Sequence, residues 1–356
     1  MKIFIDIGHP AHVHYFRNFI NIMKKKGHEF IVTARDKEVV FDLLNYYHIK
    51  YINRGKGGKS LFNKLLYIPK ADLLLYKVAR DFKPDIFLSF GSAYASHIAY
   101  LTGKPHIAFD DTDHAAFEHL LYVPFTETII TPKAYLKNFG KKHIRINSYM
   151  ELCSTHPAYF SPEEKILDEL DLGNHKAFVV IRLVSWNASH DIGLKGLSIK
   201  GLEKIINILK GKYKIIISSE NKLPKNLQEY AYNIHPTKIH NTLYYADLFI
   251  GESLTMAIES ASLGTPSFAI TSAKAGVTEE QISNGLLKKY DNENELFIEI
   301  EKMLINENYK RDFQLKAKEI LNKKINVTTF MIWFIENYPK SKNIMMANPN
   351  YQNNFI

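Results

Sequence analysis

Small hydroxyl residues follow a short apolar run in the segment GESLTMAIE, which begins at Gly251. A run that ends in glycine and continues with helical periodicity predicts a strand, a turn and a helix. The first N–H groups of a helix lack intrahelical partners, so this turn is suited to binding phosphate. Ser253 and Thr255 add hydroxyl donors, and Glu259, one turn further, could accept from ribose hydroxyls. The alternative is a plain turn in which Ser253 only caps the helix.

Three histidines follow the first apolar run of the chain, at His9, His12 and His14, directly after Gly8. A neutral imidazole has an intrinsic pKa suited to taking a proton from a hydroxyl group. We favour His12 as such a base, with His9 and His14 as competitors or as groups that bind an acceptor molecule. The other interpretation is that these histidines only cap the helix or bond locally.

Three carboxylates and a histidine lie within five residues, at Asp110, Asp111, Asp113 and His114, after the apolar run HIAF. Open parallel sheets bind ligands at the carboxyl ends of their strands. We therefore predict catalytic roles for Asp110 and Asp111, and acceptor binding for Asp113 and His114. A magnesium site is one alternative, because hard cations prefer oxygen ligands. A helix cap is the other.

Arg182 ends the apolar run AFVVI and precedes the polar segment Ser185–Asp191. A guanidinium fork at a strand end can stabilise a phosphate that gains charge as a nucleotide leaves. An arginine in an ion pair between domains is the alternative. Arg182 and Arg311 are the only arginines beyond residue 160 in the sequence.

Short apolar runs bounded by turns alternate with helical segments along the whole chain, which predicts an α/β protein with parallel sheets. The length of 356 residues corresponds to two domains. The predicted strands are Lys2–Ile7, Glu29–Ala34, Asp85–Phe90, His106–Phe109, Thr128–Thr131, Ala177–Ile181, Lys214–Ser218, Leu248–Ile250 and Ser267–Ile270. The predicted helices are Val13–Lys26, Val39–Tyr47, Ala71–Phe82, Gly201–Lys210, Thr255–Leu263, Asn294–Ile305 and Val327–Tyr338.

The domain boundary is predicted within Pro157–Lys176, which is rich in turn and cap residues. This gives an N-terminal domain at 1–160 and a C-terminal domain at 174–325. A helix is predicted at 326–340. The Asn-rich tail at 341–356 shows no periodicity and is expected to be loosely ordered.

The composition, with 46% hydrophobic and 23% charged residues, is that of a globular protein. Cys153 is the only cysteine, which excludes an internal disulfide and a thiolate metal site. No apolar run approaches the roughly 18 residues of a membrane span. We therefore expect a cytoplasmic protein, with peripheral contact at the inner face of the cytoplasmic membrane left open.

The positive charge is concentrated in the first half of the chain. Residues 1–160 contain 22 Lys and Arg against 14 Asp and Glu, whereas residues 161–356 contain 24 against 23. An excess of positive charge in this half favours contact with an anionic membrane surface or a phosphorylated substrate. Nucleic acid is not expected, because the basic residues are dispersed and no recognition motif is present. Scattered, solvated lysines are the plain alternative.

Together these segments resemble an uncharacterised bacterial and archaeal family of the GT-B superfamily. The resemblance is carried by DIGHPAHVHYF, FDDTDH, the Val-x-x-Arg that ends at Arg182, and GESLTMAIESASLGTP, and it covers about residues 1–335. More distant relatives are the lipid-II N-acetylglucosaminyltransferase and the non-hydrolysing UDP-N-acetylglucosamine 2-epimerases. The resemblance implies a GT-B fold, in which two Rossmann-like domains face each other across a cleft and the last helix crosses back to the first domain.

The resemblance also implies a function. A nucleotide-diphosphate sugar, with UDP favoured, would be held by Arg182, Gly251, Ser253, Leu254, Thr255 and Glu259, and the segment Thr237–Ala246 would lie beside the base. An acceptor hydroxyl would lie near His12 and the aspartates. We therefore expect an inverting glycosyltransferase of surface polysaccharide or glycolipid synthesis that needs neither metal nor cofactor. The alternatives are a sugar-nucleotide 2-epimerase, although the epimerases' His-Arg-x-x-Asn signature is missing, and a non-catalytic sugar-nucleotide binding protein.

Overall fold

The computed structural model describes residues 1–58, 61–173, 175, 177–184, 196–272 and 275–356. The chain forms two compact units, which we call unit 1 (Met1–Ser154 with Lys324–Ile356) and unit 2 (Thr155–Lys323). The divisions thus fall shortly before the predicted boundary at Pro157–Lys176 and shortly before residue 325. Within the described ranges no helix is long and apolar enough to cross a membrane.

Strands and helices alternate in both units. The strands are β1 (Lys2–Ile7), β2 (Glu29–Ala34), β3 (Ile52–Asn53), β4 (Ile86–Phe90), β5 (His106–Phe109), β6 (Thr128–Pro132), β7 (His143–Ile146), β8 (Phe178–Leu183), β9 (Lys214–Ser219), β10 (Leu248–Gly251), β11 (Ser267–Ile270) and β12 (Lys288–Tyr290). The helices are α1 (Pro10–Lys25), α2 (Val40–Tyr46), α3 (Leu61–Phe82), α4 (Ala93–Leu101), α5 (Ala116–Tyr122), α6 (Leu152–Thr155), α7 (Lys165–Glu169), α8 (Ile199–Leu209), α9 (Ile239–Tyr245), α10 (Leu254–Ser262), α11 (Gly276–Ser283), α12 (Glu293–Ile305), α13 (Tyr309–Leu321), α14 (Val327–Glu336) and α15 (Lys340–Ala347).

The described part of unit 1 is built on a parallel seven-stranded sheet in the order β3-β2-β1-β4-β5-β6-β7. β1 pairs with β2 on one side and with β4 on the other. The strand order therefore reverses between β1 and β4, and open sheets bind ligands at the carboxyl side of such a switch point. The strands β3 and β7 were not predicted, because β3 has only two residues and Arg145 interrupts the apolar run of β7.

Helix α1 starts at the switch point because of its first residues. His9 is its N-cap, Pro10 occupies the first helical position, and the helix therefore begins three residues before the predicted Val13. Its apolar residues recur at helical spacing, from Val13 and Phe16 to Ile20 and Met23, and are buried. This face holds the helix against the sheet and so fixes the first loop.

Helix α3 is ten residues longer than predicted, since it begins at Leu61 and continues through Pro69. The predicted helix began only at Ala71, after this proline, because a proline removes one backbone hydrogen bond. Residues Ala71, Leu75 and Ala79 are buried at helical spacing. This packing holds the helix in spite of the interruption.

The described part of unit 2 has a parallel five-stranded sheet in the order β12-β11-β10-β8-β9. Here the strand order reverses between β8 and β10, which are paired so that Gly251 lies opposite Arg182. The strand runs predicted in this half are confirmed within two residues at each end. The three-residue strand β12, at the sheet edge, was not predicted.

The C-terminal segment returns to unit 1 through α14. This helix buries Phe330, Met331, Phe334 and Ile335. The chain before it is tied down where the Ser148 hydroxyl donates to the carbonyl of Ile325 over 2.8 Å. Residues 324–356 consequently belong to the same compact unit as the first half of the chain.

The expectation of a loosely ordered tail at 341–356 is wrong. Helix α15 and a 3-10 turn at Pro349–Phe355 occupy this segment. The Tyr351 ring stacks on Trp333 with centroids 4.9 Å apart, and Gln352 accepts a 2.6 Å hydrogen bond from the Asn147 N–H. Single contacts to α14 and to the residues after β7 hold the tail, and such contacts leave no periodic pattern in the sequence.

We expect Tyr351→Ala to lower the free energy of unfolding by about 1–2 kcal/mol, because it removes the aromatic pair with Trp333 and the area that the ring buries. Chemical denaturation followed by tryptophan fluorescence measures this loss. The control Asn353→Ala changes an exposed side chain of the same turn and should leave the midpoint where it is. Equal midpoints for both variants and the parent would show that the tail is loose.

Candidate functional site

The loop after β1 brings together His9, His12 and Gly8. His9 accepts from the Ala11 N–H over 3.3 Å, so it is the helix cap, and its ring centroid lies 5.8 Å from that of His12. The His12 ring stacks on Phe90, at the end of β4, with centroids 5.0 Å apart. Burial, followed by the positive charges of His9, Lys37 and Arg54, holds the pKa of His12 well below its usual value.

The structure does not bring His14 to this group. Its side chain is buried, and its ring lies edge-on to Tyr47, just beyond α2, with centroids 6.0 Å apart. A helix turns by about 100° per residue, so two positions separate the directions of His12 and His14 by about 200°. His14 therefore points away from the ring of His12, contrary to the grouping expected from the sequence.

Asp110, directly after β5, is the centre of a buried hydrogen-bond network. One of its oxygens, Oδ2, accepts from the hydroxyls of Tyr122 (2.5 Å) and Tyr135 (2.9 Å) and contacts His119 Nε2 at 2.9 Å. The other, Oδ1, accepts from the Thr112 N–H over 2.8 Å. Burial and the Asp110 charge raise the pKa of both tyrosines far above the usual range, so both stay protonated donors. Asp110 is thus fully engaged inside unit 1.

Asp111 is partly exposed and has a different environment. Burial and the neighbouring charge of Asp110 raise its pKa to about 6, against hydrogen bonds from Thr112 and Tyr15 that favour the carboxylate. Tyr15 lies on α1, one turn after His12, and its ring packs against Phe90 with centroids 4.9 Å apart. Asp111, Tyr15 and His12 therefore share one edge of the sheet around the ring of Phe90.

The other two polar residues of this segment, Asp113 and His114, have different environments. Asp113 is buried, and its Oδ1 accepts from the Leu136 N–H over 2.7 Å, while His114 is exposed. Asp113 thus anchors the chain after β6 and does not lie open to an acceptor. Among the described residues, no group of three or more His, Cys, Asp and Glu side chains is arranged to hold a metal ion.

In unit 2 the switch point places Arg182 beside Gly251. The Glu252 N–H donates to the Arg182 carbonyl over 3.0 Å. A Cβ atom on Gly251 would lie 2.7 Å from the Phe249 ring and 3.1 Å from the Cβ of Arg182, so only glycine fits without a shift. The Arg182 side chain donates to Ser218 on β9 over 3.0 Å and pairs with Glu220, directly after that strand. Its buried Nε has no hydrogen-bond partner among the described residues.

The predicted helix after this glycine begins at Leu254. Ser253 caps α10 by accepting from the Met256 N–H over 3.4 Å, and Ser253, Leu254 and Thr255 are partly exposed. The first turn of α10 thus presents backbone N–H groups and two hydroxyls at the carboxyl end of β10. This is the geometry of an anion site.

Glu259 lies one turn further along α10, as predicted, but it is buried. Its Oε1 lies 3.5 Å from Nε2 of His240, and both side chains are at most 6% exposed. His240 belongs to α9, so the segment Thr237–Ala246, expected beside the base, is mostly helical. A carboxylate buried against an imidazole keeps a fixed orientation.

Sequence reasoning missed Glu252, which lies between Gly251 and Ser253. Its two carboxylate oxygens accept from the N–H groups of Val184 (2.7 Å) and Leu197 (2.8 Å), on either side of residues 185–195. An acid directly before a helix cap was the available signal. The polar segment Ser185–Asp191, noted after Arg182, lies outside the described residues.

A buried ion pair in unit 1 was also missed. Arg54, directly after β3, donates from Nε to Oδ1 of Asp6 over 2.8 Å, and Thr33 and Ser92 donate to the same carboxylate over 2.6 Å each. The exposure of the two ionised side chains is 3% and 0%. Burial opposes the charge of Arg54, but Asp6 and Tyr67 outweigh it and raise the pKa of the guanidinium.

Two parallel α/β units, each with polar side chains at its switch point, define a GT-B fold. The chain belongs to the family described as "Protein of unknown function (DUF354)", which it matches over residues 1–329. It is 27% identical over 277 residues to an uncharacterized protein of Methanocaldococcus jannaschii, covering 75% of this chain and 80% of that protein.

Two of the solved structures that it resembles belong to different enzyme classes. UDP-GlcNAc 2-epimerase from Neisseria meningitidis, bound to UDP-GlcNAc, has a TM-score of 0.63 at 12% identity, with 90% of this chain and 99% of that chain covered. The spinosyn rhamnosyltransferase SpnG, complexed with spinosyn aglycone, has a TM-score of 0.62 at 12% identity, covering 95% and 100%. These similarities confirm the fold.

Proposed function

We propose that this protein is a glycosyltransferase that moves a sugar from a nucleotide diphosphate, UDP being favoured, to a hydroxyl of a saccharide or lipid-linked acceptor. The observation that carries the proposal is Asp111, a partly exposed carboxyl with its pKa raised to about 6 beside the engaged Asp110. A group that is ionised at neutral pH and still basic suits a general base. One similar structure is an epimerase bound to UDP-GlcNAc and another is a rhamnosyltransferase, and both support a sugar nucleotide as the substrate here.

Asp111 fits the role of base better than the other candidates. The acceptor sites of Asp110 are occupied by protein donors. His12 accepts from the Gly8 N–H through Nδ1 over 3.4 Å, so its neutral ring carries its proton on Nε2 and donates there. Asp111 can take the proton of an acceptor hydroxyl as the oxygen attacks the anomeric carbon and the bond to the diphosphate breaks.

Unit 2 supplies the groups for the donor. The first turn of α10, with Gly251, Ser253, Leu254 and Thr255, suits the diphosphate, and Glu259, held against His240, suits the ribose. Arg182 would neutralise the charge that develops on the diphosphate as it leaves, a task that many other enzymes give to a metal ion. Transfer in one displacement inverts the anomeric centre, and we propose that it proceeds without added metal.

Unit 1 supplies the acceptor side. Residues 1–160 contain the excess of basic side chains, 22 against 14, which favours an acceptor on an anionic membrane and a role in surface polysaccharide or glycolipid synthesis. Sedimentation with anionic vesicles at increasing salt measures this contact. Binding to anionic vesicles that is lost with salt supports it, and equal retention by neutral vesicles contradicts it.

The test of the reaction is incubation with UDP-, GDP- and dTDP-sugars, with and without membrane extract, in the presence of EDTA or magnesium. Nucleotide release that depends on the extract supports transfer. Sugar isomerisation without extract would instead establish the epimerase alternative, and binding without turnover the non-catalytic one. Turnover that appears only with magnesium would contradict the metal-independent step.

We expect Arg182→Gln to weaken UDP binding by about 10- to 100-fold, the value of a hydrogen bond between charged groups. Isothermal titration calorimetry with UDP measures it. Arg311→Gln is the matched control, since Arg311 is the only other arginine beyond residue 160 and is exposed on α13. Equal affinity of the two variants would remove Arg182 from the donor site.

A further inference from the structure

Three neighbouring loops of unit 1 contain basic side chains that have no role in the proposed reaction. They follow β1, β2 and β3, which are adjacent and parallel, so their carboxyl ends meet at one edge. The Arg35 N–H donates to the Ile7 carbonyl and the Arg54 N–H to the Ala34 carbonyl, each over 2.9 Å. These bonds fix the start of each loop against the preceding strand.

Arg54 is held rigidly at this edge. Asp6 binds its Nε, and the guanidinium carbon lies 4.5 Å from the centre of the Tyr94 ring. Its Nη1 is buried and has no hydrogen-bond partner among the residues that the structure describes. An unused donor on a buried guanidinium costs free energy unless a ligand pairs with it.

Gly8 keeps the space between Arg54 and His12 open. A Cβ atom on Gly8 would lie 3.6 Å from Nη2 of Arg54 and 3.9 Å from Cε1 of His12, which is ordinary contact with both. The guanidinium and the imidazole therefore border the same small volume over Gly8. The Nε2–H of His12 is the donor that its ring retains, because Nδ1 accepts from the Gly8 N–H.

The electrostatics of this volume favour an anion. His9, Lys37 and Arg54 all act on His12 as positive charges. Asp6 offsets Arg54, and Glu38 pairs with Lys37 over 3.2 Å at the surface, where such pairs are weak. The N–H groups of Ala11 and His12 are bonded to His9, so the 16-residue helix α1 contributes its dipole instead of free donors.

We propose that Arg54 and His12 bind a phosphoryl group over Gly8, and that this group belongs to the acceptor. That the phosphoryl group belongs to the acceptor rests on the proposed function, whereas the anion site itself does not. Arg54 offers a planar fork that matches phosphoryl oxygens, His12 adds a single donor, and Lys37 adds charge. Phosphate on a soluble sugar and phosphate on a lipid share this chemistry.

The test uses the full chain and the ring signals of His12, assigned by comparison with His12→Gln, in an NMR titration. The probes are inorganic phosphate, glucose 1-phosphate, dihexanoyl phosphatidate, and acetate at equal ionic strength. We expect the phosphoryl probes to shift the signals with saturation and to raise the pKa of His12, because a nearby anion favours the imidazolium. Tighter binding of glucose 1-phosphate or of phosphatidate identifies a soluble or a lipid source. Absence of saturation with all three phosphoryl probes, or equal binding of acetate, overturns the proposal.

Two variants test the residues without removing the buried ion pair. Gly8→Ala fills the volume in a backbone conformation that alanine tolerates, and it should raise the dissociation constant at least 10-fold. Lys37→Gln removes one positive charge that acts on His12, and it should raise the dissociation constant by a smaller factor. Lys104→Gln, an exposed lysine before the amino end of β5, is the matched control and should bind like the parent. Parent-like binding by both Gly8→Ala and Lys37→Gln would overturn the site.

The outcome is separable from that of the proposed function. The titration contains no sugar nucleotide, and it observes His12 of unit 1 alone. Saturable phosphate binding in a protein that transfers no sugar would sustain this site and sink the glycosyltransferase. Sugar transfer by a protein that does not bind phosphate would support the glycosyltransferase and contradict this site.

Discussion

Asp111→Asn should lower turnover by about 10²–10⁴-fold while leaving the dissociation constant for UDP unchanged. The amide keeps the shape of the side chain but cannot take the acceptor proton, and general-base catalysis contributes a factor of this size. The measurement is acceptor-dependent release of UDP at saturating donor, with calorimetry for UDP affinity. Because the pKa of Asp111 is higher in the folded protein than its usual 3.8, its ionisation opposes folding at neutral pH. The variant should therefore be at least as stable as the parent, and lost turnover cannot be ascribed to unfolding.

The pH dependence gives a second readout of the same residue. A base works only when deprotonated, so kcat/KM should fall about tenfold per pH unit below about 6, the pKa to which Asp111 is raised. Asp110→Asn removes the neighbouring charge that helps to raise this pKa, so the acid limb should move to lower pH. The exposed Glu118→Gln is the control for both measurements. An unchanged acid limb in Asp110→Asn, together with full turnover in Asp111→Asn, would return the role of base to His12 or His9.

Asp6→Ala should lower the free energy of unfolding of unit 1 by about 3–5 kcal/mol, since it leaves the Arg54 guanidinium buried without its counter-charge. The hydroxyls of Thr33 and Ser92 lose the same acceptor. Denaturant titration with circular dichroism measures the change. Breaking an exposed ion pair should have almost no effect on the free energy of unfolding, because exposed pairs contribute little.

The matched control is Asp81→Ala, which breaks the contact of Asp81 with Arg80 at 3.2 Å on the same unit, where both side chains are at least 66% exposed. Its midpoint should equal that of the parent. If Asp6→Ala also unfolds like the parent, the ion pair with Arg54 does not support the fold. In that case the phosphoryl site would lack its rigid frame as well.

Much of the fold was readable from local sequence. Strands such as Lys2–Ile7 and Ser267–Ile270 are almost entirely buried in parallel sheets, so they appear as largely apolar runs between turns. The Gly-Glu-Ser turn before α10 was likewise visible, because glycine, cap and helix are consecutive residues. Strand β3 was not, because two residues show no pattern, and the ordered tail was not, because single contacts with Trp333 and Asn147 hold it.

For the candidate site, too, local sequence determined one part and tertiary structure the other. The sequence by itself determined that polar residues follow β1, β5, β8 and β10, and hence which loops carry chemistry, because strand ends are local features. Only the tertiary structure decided which of those residues are available. It engages Asp110 with four hydrogen-bonding groups, turns His14 into the interior, leaves Asp111 partly exposed, and joins Arg54 to Asp6 across 48 residues. Burial and pairing are set by residues that meet only after folding, and these determine both the pKa of a side chain and its freedom to bind.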